Sequence, residues 1–416
     1  MSDIVRDRPA ASPAPMASAR ALDAPILRYV LFGDGMSPHL LKWARALAPR
    51  VELWLASSTG ISDELAACVP AQRQLALGSQ PNAAGGNVGL LWQLPRLMRW
   101  LRRVDADWIN AHYLSSHGTL AWLALRGARL HGRLLASAWG SDVLVTPQRY
   151  VAYRWALRRV VRAAALVTSD SQHMAQRLRE YGAAEVMVFP FGLDALPPLS
   201  VPPTPKQPWL VFANRGLEPI YRPERVLALF AALARLQPQA QLVVANEGSL
   251  RAAMQASAQA QGLTDRVRWV GRLGAAEQAQ WYAQAQWYLS LPGSDSVSVS
   301  VLEAMAHGCI PVLSDLPANR ELVRSGDNGL IVSEDVVRDD ARPSNPVSPC
   351  AAWASNDSAL WPALQALAAR APAIAQANRR WVAEHALFEP SIEGLLQRLL
   401  QCPRADVGAG RGRAAA

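Results

Sequence analysis

Short β-rich runs alternate with amphipathic helical stretches along nearly the whole chain, and that period dictates parallel sheet wrapped by helices. "ILRYVLF" at 26–32 gives way to "SPHLLKWARALA" and then "VELWLA"; "WINA", "RLLASA" and "ALVTS" follow in the same rhythm. Over 195–208 the rhythm stops in "ALPPLSVPPTPKQP", where six prolines remove backbone donors and stiffen the chain. It then restarts with strand "WLVFA" (209–213), helix "PERVLALFAALARL", strand "QLVVA", a helix over 249–261, strand "RVRWVG", a helix over 276–286 and strand "WYLSL". The pattern predicts an α/β chain of two units, 25–195 and 209–385, joined by a linker at 196–208, with a final helix over 386–402 crossing back to the first unit. A length of 416 residues suits two cores better than one. The ends, 1–24 and 403–416, are rich in Ala, Pro, Gly and Arg and are expected to be disordered, and 334–358 reads as a polar surface loop.

Composition narrows the chemistry. The charge of +9 arises from 42 basic against 33 acidic residues, and Lys42 and Lys206 are the only lysines, which leaves little room for lysine Schiff-base catalysis. Such an excess suits phosphorylated substrates, an anionic membrane or nucleic acid, but no helix-turn-helix, zinc or aromatic-sheet signature accompanies it, so nucleic acid is not expected. The four cysteines show no metal-ligand spacing, no metal site is expected, and a reducing compartment fits. No run approaches the roughly 18 apolar residues of a membrane helix, and 1–24 lack the apolar centre of a signal peptide, so a cytoplasmic location is expected.

The stretch "GSDSVSVSVLEAMAHGCIPVLSD" (293–315) carries the strongest chemical signal. It starts with strand-like alternation, but "LEAMAHG" is helical and ends on a glycine, so a helix is expected from about Ser298. Strand "WYLSL" thus feeds a Pro-Gly-Ser-Asp loop into a helix N-terminus, whose unpaired amides form a seat for phosphate at a sheet's carboxyl edge. The small side chains of Ser296, Ser298 and Ser300 let an anion approach. Glu303, about one turn in, can reach the two hydroxyls of a ribose, and Asp295 can reach a sugar beyond the phosphates. A nucleoside diphosphate-sugar satisfies both. Two plainer readings stay open: "SVLE" fits a capping box, with Glu303 bonded to a backbone amide, and Asp295 fits a turn.

With these residues in place, "SDSVSVSVLEAMAHGCIPVLSDLPANRELVRSGDNGLIV" resembles the carboxyl-terminal signature of the retaining glycosyltransferases of family 4: an acidic residue, seven residues, then Glu-Ala-Met-Ala and a glycine. "VFANRGLEPIYRPERVL", "VVANEGSLRAAMQASAQAQGLTDRVRWVGRL", "ASAWGSDVLVTP" and "SDSQHMAQRLREYGAAEVMVFPFGLD" extend the resemblance over about 26–333. It implies the GT-B architecture, two Rossmann-like domains facing each other across a cleft, with the donor in the second and the acceptor in the first. Carried over, Glu303 holds the ribose, Asp295 the transferred sugar and Arg215 the diphosphate, and Ser296, Val297, Ser298, Glu247 and Gly271 line the donor site. Asp295 stands where the family usually has Glu, and Arg222 where it often has lysine; Arg222 also reads as a surface residue at a helix start. No cofactor is implied beyond the donor itself.

On the acceptor side, Gly33 and Gly35 in "FGDGMSPH" suit close approach by a ligand or simply a tight turn. His112 ends a predicted strand facing the cleft and reads either as catalytic or as a buried histidine bonded to backbone; His117 is a weaker candidate. Asp142 in "WGSD" is the best acceptor-side carboxylate, since Trp139 and Gly140 occupy the segment where relatives carry histidine. Between 88 and 104, "VGLLWQLPRLMRWLRRV" interleaves Trp, Leu and Arg in a way that suits an anionic bilayer surface or an ordinary core helix with a solvated arginine face. The membrane reading makes the acceptor a lipid-linked sugar or oligosaccharide used for envelope polysaccharide or glycolipid. The expected reaction is retaining hexosyl transfer in which the leaving diphosphate takes the acceptor proton. An epimerase or hydrolase of the same fold, and a degenerate binding protein, are the alternatives.

Overall fold

The computed structural model describes residues 26–79, 87–198, 205–333 and 357–402. The expected tails at 1–24 and 403–416, most of the 334–358 loop and the middle of the 196–208 linker lie outside the described residues.

Among the described residues two sheets form, each entirely parallel. The first contains β1 (Arg28–Gly35), β2 (Glu52–Ile61), β3 (Gln74–Ala76), β4 (Trp108–His112), β5 (Arg133–Ser137), β6 (Leu166–Ser169) and β7 (Val186–Val188), in the order 3-2-1-4-5-6-7. The second contains β8 (Gln207–Ala213), β9 (Gln241–Ala245), β10 (Val267–Gly271), β11 (Ala285–Ser290), β12 (Ile310–Ser314) and β13 (Leu330–Val332), in the order 10-9-8-11-12-13. Each is laid outward on one side of its first strand and then on the other. That reversal leaves a crevice beyond the carboxyl ends of β1 and β4 in one unit and of β8 and β11 in the other. Central strands are buried on both faces: every residue of β4, β6, β11 and β12 is inaccessible, as helix-covered parallel sheet requires.

β8 begins inside the stretch assigned to the linker, because Gln207 already pairs with Ala285. Pro208, at its second position, is exposed, where a strand's start tolerates a missing donor.

The last helix, Phe388–Gln401, lies on the first unit. Phe388, Ile392, Leu395 and Leu399 recur on one face and join the core of Tyr29, Trp43 and Trp108. Arg398 donates twice to Glu185 at 2.6 Å, and Arg50 donates to Glu389 at 2.6 Å. Just before it the chain runs beside its earlier passage: Leu193 N donates to the Ala386 carbonyl and Phe388 N to the Leu193 carbonyl, both at 2.8 Å. Glycine is required at 192, where a Cβ would lie 2.2 Å from the Ala386 carbonyl oxygen.

Candidate functional site

The loop after β11 turns through Pro292 and Gly293 into helix Val299–Ala306, with Ser298 at its N-cap. The Ser298 side chain makes no capping bond, and instead its Oγ accepts from Arg215 Nη1. Arg215, just past the carboxyl end of β8, also donates to Ser300 Oγ at 3.3 Å and to Asp295 Oδ2 at 2.7 Å, with its guanidinium 4.4 Å above the Tyr221 ring. Its buried Nε has no partner among the described residues. The fork therefore stands at the mouth of the helix. Burial pushes the Asp295 carboxyl above the ordinary aspartate range, against the opposing pull of Arg215 and the Ser296 amide.

Glu303 does not cap the helix. The helix starts at Val299, so Ser300 lies inside it rather than at its cap, and Glu303 Oε2 accepts from the Tyr282 hydroxyl at 3.0 Å. Burial raises its pKa, opposed by Tyr282 and by the charge of Lys42 from the first unit. Tyr282 is oriented in turn by Asn214 Nδ2 at 2.7 Å, while Asn214 Oδ1 accepts from Tyr288, whose hydroxyl lies 2.9 Å from Ser300 Oγ. These bonds join β8, β11 and the helix start into one polar network.

The serine hydroxyls expected to face an anion are engaged within the protein. Ser298 and Ser300 serve Arg215, and Ser296 donates to Asp170 of the first unit. Val297 is buried at the same turn. Arg222, in a left-handed conformation, lies against the loop: a Cβ at Gly293 would stand 2.5 Å from its Nε. Glu247, just past β9 and paired with Arg251, is adjacent to Gly271 at the end of β10, where a Cβ would lie 3.1 Å from Glu247 Oε1.

The first unit places the acceptor-side candidates as follows. Both oxygens of Asp142 are taken by backbone amides, Oδ2 by Leu114 at 2.7 Å and Oδ1 by Trp139 at 3.0 Å, and the residue is buried. It ties two cleft loops together, with each oxygen holding one backbone amide. Gly33 and Gly35 are glycines for internal packing: a Cβ at 33 would lie 2.7 Å from Leu40 Cδ1, and one at 35 only 2.3 Å from the Gly60 carbonyl oxygen. His112 is buried and bonded through Nε2 to Asn110 Oδ1 at 2.9 Å, not to backbone; burial drives its pKa well below the histidine range. His117 is the backbone-bonded histidine: Nδ1 donates to the His112 carbonyl at 2.7 Å and Nε2 accepts from Ser58 at 2.8 Å, and burial lowers its pKa to about 4.

Other cleft residues carried little sequence signal. Tyr113, directly after β4, holds a φ of 63, strained for an aromatic residue, and stacks at 5.8 Å on Trp139, which also meets His39 at 4.9 Å. Lys42 donates to the Gly192 carbonyl and pairs with Asp194 at 3.1 Å. Asp170 reaches Ser296 from across the cleft.

Residues 33–195 match the family model described as Glycosyltransferase Family 4, and residues 200–341 match the one described as Glycosyl transferases group 1. A stretch of 144 residues is 30% identical to a GDP-mannose:cellobiosyl-diphosphopolyprenol alpha-mannosyltransferase of Xanthomonas oryzae pv. oryzae, covering 32% of this chain and 35% of that protein. The protein of the same name from Xanthomonas campestris is 31% identical over 131 residues, 30% of this chain and 32% of that one. The match thus spans about a third of the length of these curated relatives. Among solved structures, Anabaena HepE in complex with UDP superposes with a TM-score of 0.63 at 17% identity, over 89% of this chain and 99% of that one. The apo lipopolysaccharide outer core galactosyltransferase WaaB gives 0.64 at 15% identity, over 89% and 99%. At such identities the likeness speaks for the fold, which is GT-B.

Proposed function

The chain belongs to glycosyltransferase family 4, group 1, and from that premise we propose that it moves a hexose from a nucleoside diphosphate-sugar to a polyprenyl-diphosphate-linked sugar, with retention of anomeric configuration. The observation that carries this reading is the helix mouth at Ser298, with the Arg215 fork on one side and the Glu303 carboxylate one turn deeper. A diphosphate lies against the open amides and Arg215, its ribose reaches Glu303, and Asp295 is left for the sugar. The relatives named for GDP-mannose and a diphosphopolyprenol acceptor favour mannose and a lipid carrier, while the UDP complex of HepE keeps uridine donors in view.

Cleavage of the glycosyl phosphate bond moves charge onto the leaving diphosphate. Arg215, Arg222 and the helix amides face that charge and stabilise it where water is excluded. No cofactor enters this scheme, and among the described residues no three His, Cys, Asp or Glu side chains gather as a metal site. With Asp142 committed to backbone amides, the leaving diphosphate oxygen is the base that takes the acceptor proton on the face it vacates.

The acceptor's lipid carrier places the enzyme at the inner face of the cell membrane. Helix Leu94–Val104 turns Leu97, Trp100, Leu101 and Val104 into the core, so much of its apolar face is structural. Trp92, 85% exposed, and Leu91 stay outside beside Arg96 and Arg99. Helix Val151–Ala163 adds exposed Val151 and Trp155 with Arg158 and Arg159, and both helices pack on Thr119–Ala128. Among the described residues no helix is long and apolar enough to cross a membrane.

The test is product analysis with GDP-mannose, UDP-glucose and a polyprenyl-diphosphate-linked cellobioside. An α-linked product from an α-configured donor supports the reading. A β linkage overturns retention, and donor consumption that ignores the acceptor overturns transfer.

A further inference from the structure

A polar clasp joins the two domains at a place the transfer scheme does not use. It lies beyond the carboxyl end of β6, where Asp170 and Ser171 precede helix Gln172–Tyr181. The Ser296 hydroxyl donates to Asp170 Oδ1 and lies 3.0 Å from Ser171 Oγ. Two residues on, the amides of Gln172 and His173 donate to Glu321 Oε2 and Oε1, each at 2.8 Å, so a carboxylate of the second domain caps a helix of the first. Gly140, at φ 101, closes another side: a Cβ there would stand 3.5 Å from Ser296 Cβ.

Ser296 is the residue next to Asp295, which pairs with Arg215. When a diphosphate draws that guanidinium away, Asp295 is released, and the position of its backbone then depends on what holds Ser296. The holding group belongs to the opposite domain. We propose that Asp170 is a positioning residue for sugar transfer, acting through Ser296 to fix the Asp295 loop against the first domain so that Asp295 meets the sugar only when the cleft is closed. The inference rests on the sugar-nucleotide reading above. The local electrostatics agree: burial raises the Asp170 pKa to about 7, the Ser296 bond opposes that rise, and the facing Asp295 carboxyl adds to it.

The test uses the full chain and four probes, GDP, GDP-mannose, UDP and UDP-glucose. Calorimetry compares each nucleoside diphosphate with its sugar conjugate, and product formation on the polyprenyl-diphosphate-linked cellobioside measures turnover. For Asp170→Ala we expect nucleoside diphosphate affinity within about twofold of the parent, but about a tenfold loss in both the added affinity for the sugar conjugate and in kcat. Asp170→Asn still accepts from Ser296 and is expected to keep both within about threefold. Should Asp170→Ala unfold, Ser296→Ala removes the same bond from the other side and is expected to show the same split. Equal losses for nucleotide and sugar nucleotide, or no loss in either, overturn the inference while a parent protein that binds donor and transfers its sugar to that acceptor leaves the transfer reading standing. A parent protein that binds none of the four probes overturns both.

Discussion

Arg215 and Asp295 are paired at 2.7 Å inside the cleft, with only 19% and 21% of their side chains exposed. On the proposed reading, the pair joins the group that takes the diphosphate to the group that takes the sugar, and a bound donor separates them. Arg215→Ala strands a buried carboxylate, and we expect a loss of about 3 kcal/mol in unfolding free energy together with loss of nucleotide binding. Asp295→Asn keeps the shape and removes the charge. It is expected to lower kcat by about a hundredfold with nucleotide affinity nearly unchanged, as measured by steady-state kinetics and calorimetry.

Gly293 and Arg222 make a second testable contact. A methyl group at 293 drives into the guanidinium, whose flexible end can yield. Gly293→Ala is therefore expected to displace Arg222 and weaken diphosphate binding about tenfold, while the thermal midpoint changes little. A large fall in midpoint with intact binding contradicts a role for Arg222 at the phosphates.

His117 sets an acid limit on stability. Its folded pKa, lowered to about 4 from 6.5, means that the unfolded chain binds the proton more readily. Stability from this group is complete above about pH 6.5 and is lost as pH falls toward 4, by roughly 3 kcal/mol in all. His117→Gln is expected to flatten that part of the curve in chemical denaturation at pH 7 and pH 4.5.

Trp92 and Trp155 test the membrane surface. Replacing both by serine is expected to lower flotation with anionic vesicles by about tenfold, with turnover of a soluble acceptor unaltered, since neither lines the cleft. Flotation with neutral vesicles equal to that with anionic ones contradicts an electrostatic surface.

The fold was legible because β-rich runs and helices alternate so regularly, and because six prolines separate the two series. Asp295, Ser298 and Glu303 were legible as a set because one loop and one helix turn carry them all. What lay hidden were contacts made between distant segments. Asp170 meets Ser296 across 126 positions, and nothing near either residue announces the other. The bonds from Asp142 to the Leu114 and Trp139 amides were hidden too, because nothing in the sequence around Asp142 announces Leu114. The close contact at Gly35 was hidden for a related reason, since the carbonyl a Cβ there would meet belongs to Gly60, 25 positions away.

Calorimetric titration of GDP-mannose and UDP-glucose into the parent protein and Glu303→Ala tests the placement of the donor most directly. We expect one site per chain in the parent and at least about a thirtyfold weaker one in the variant, because the carboxylate proposed to hold the ribose hydroxyls is removed while Tyr282 keeps Asn214 as a partner. Equal affinity in the two proteins, or no binding to either, contradicts a nucleotide sugar seated at the Ser298 helix mouth.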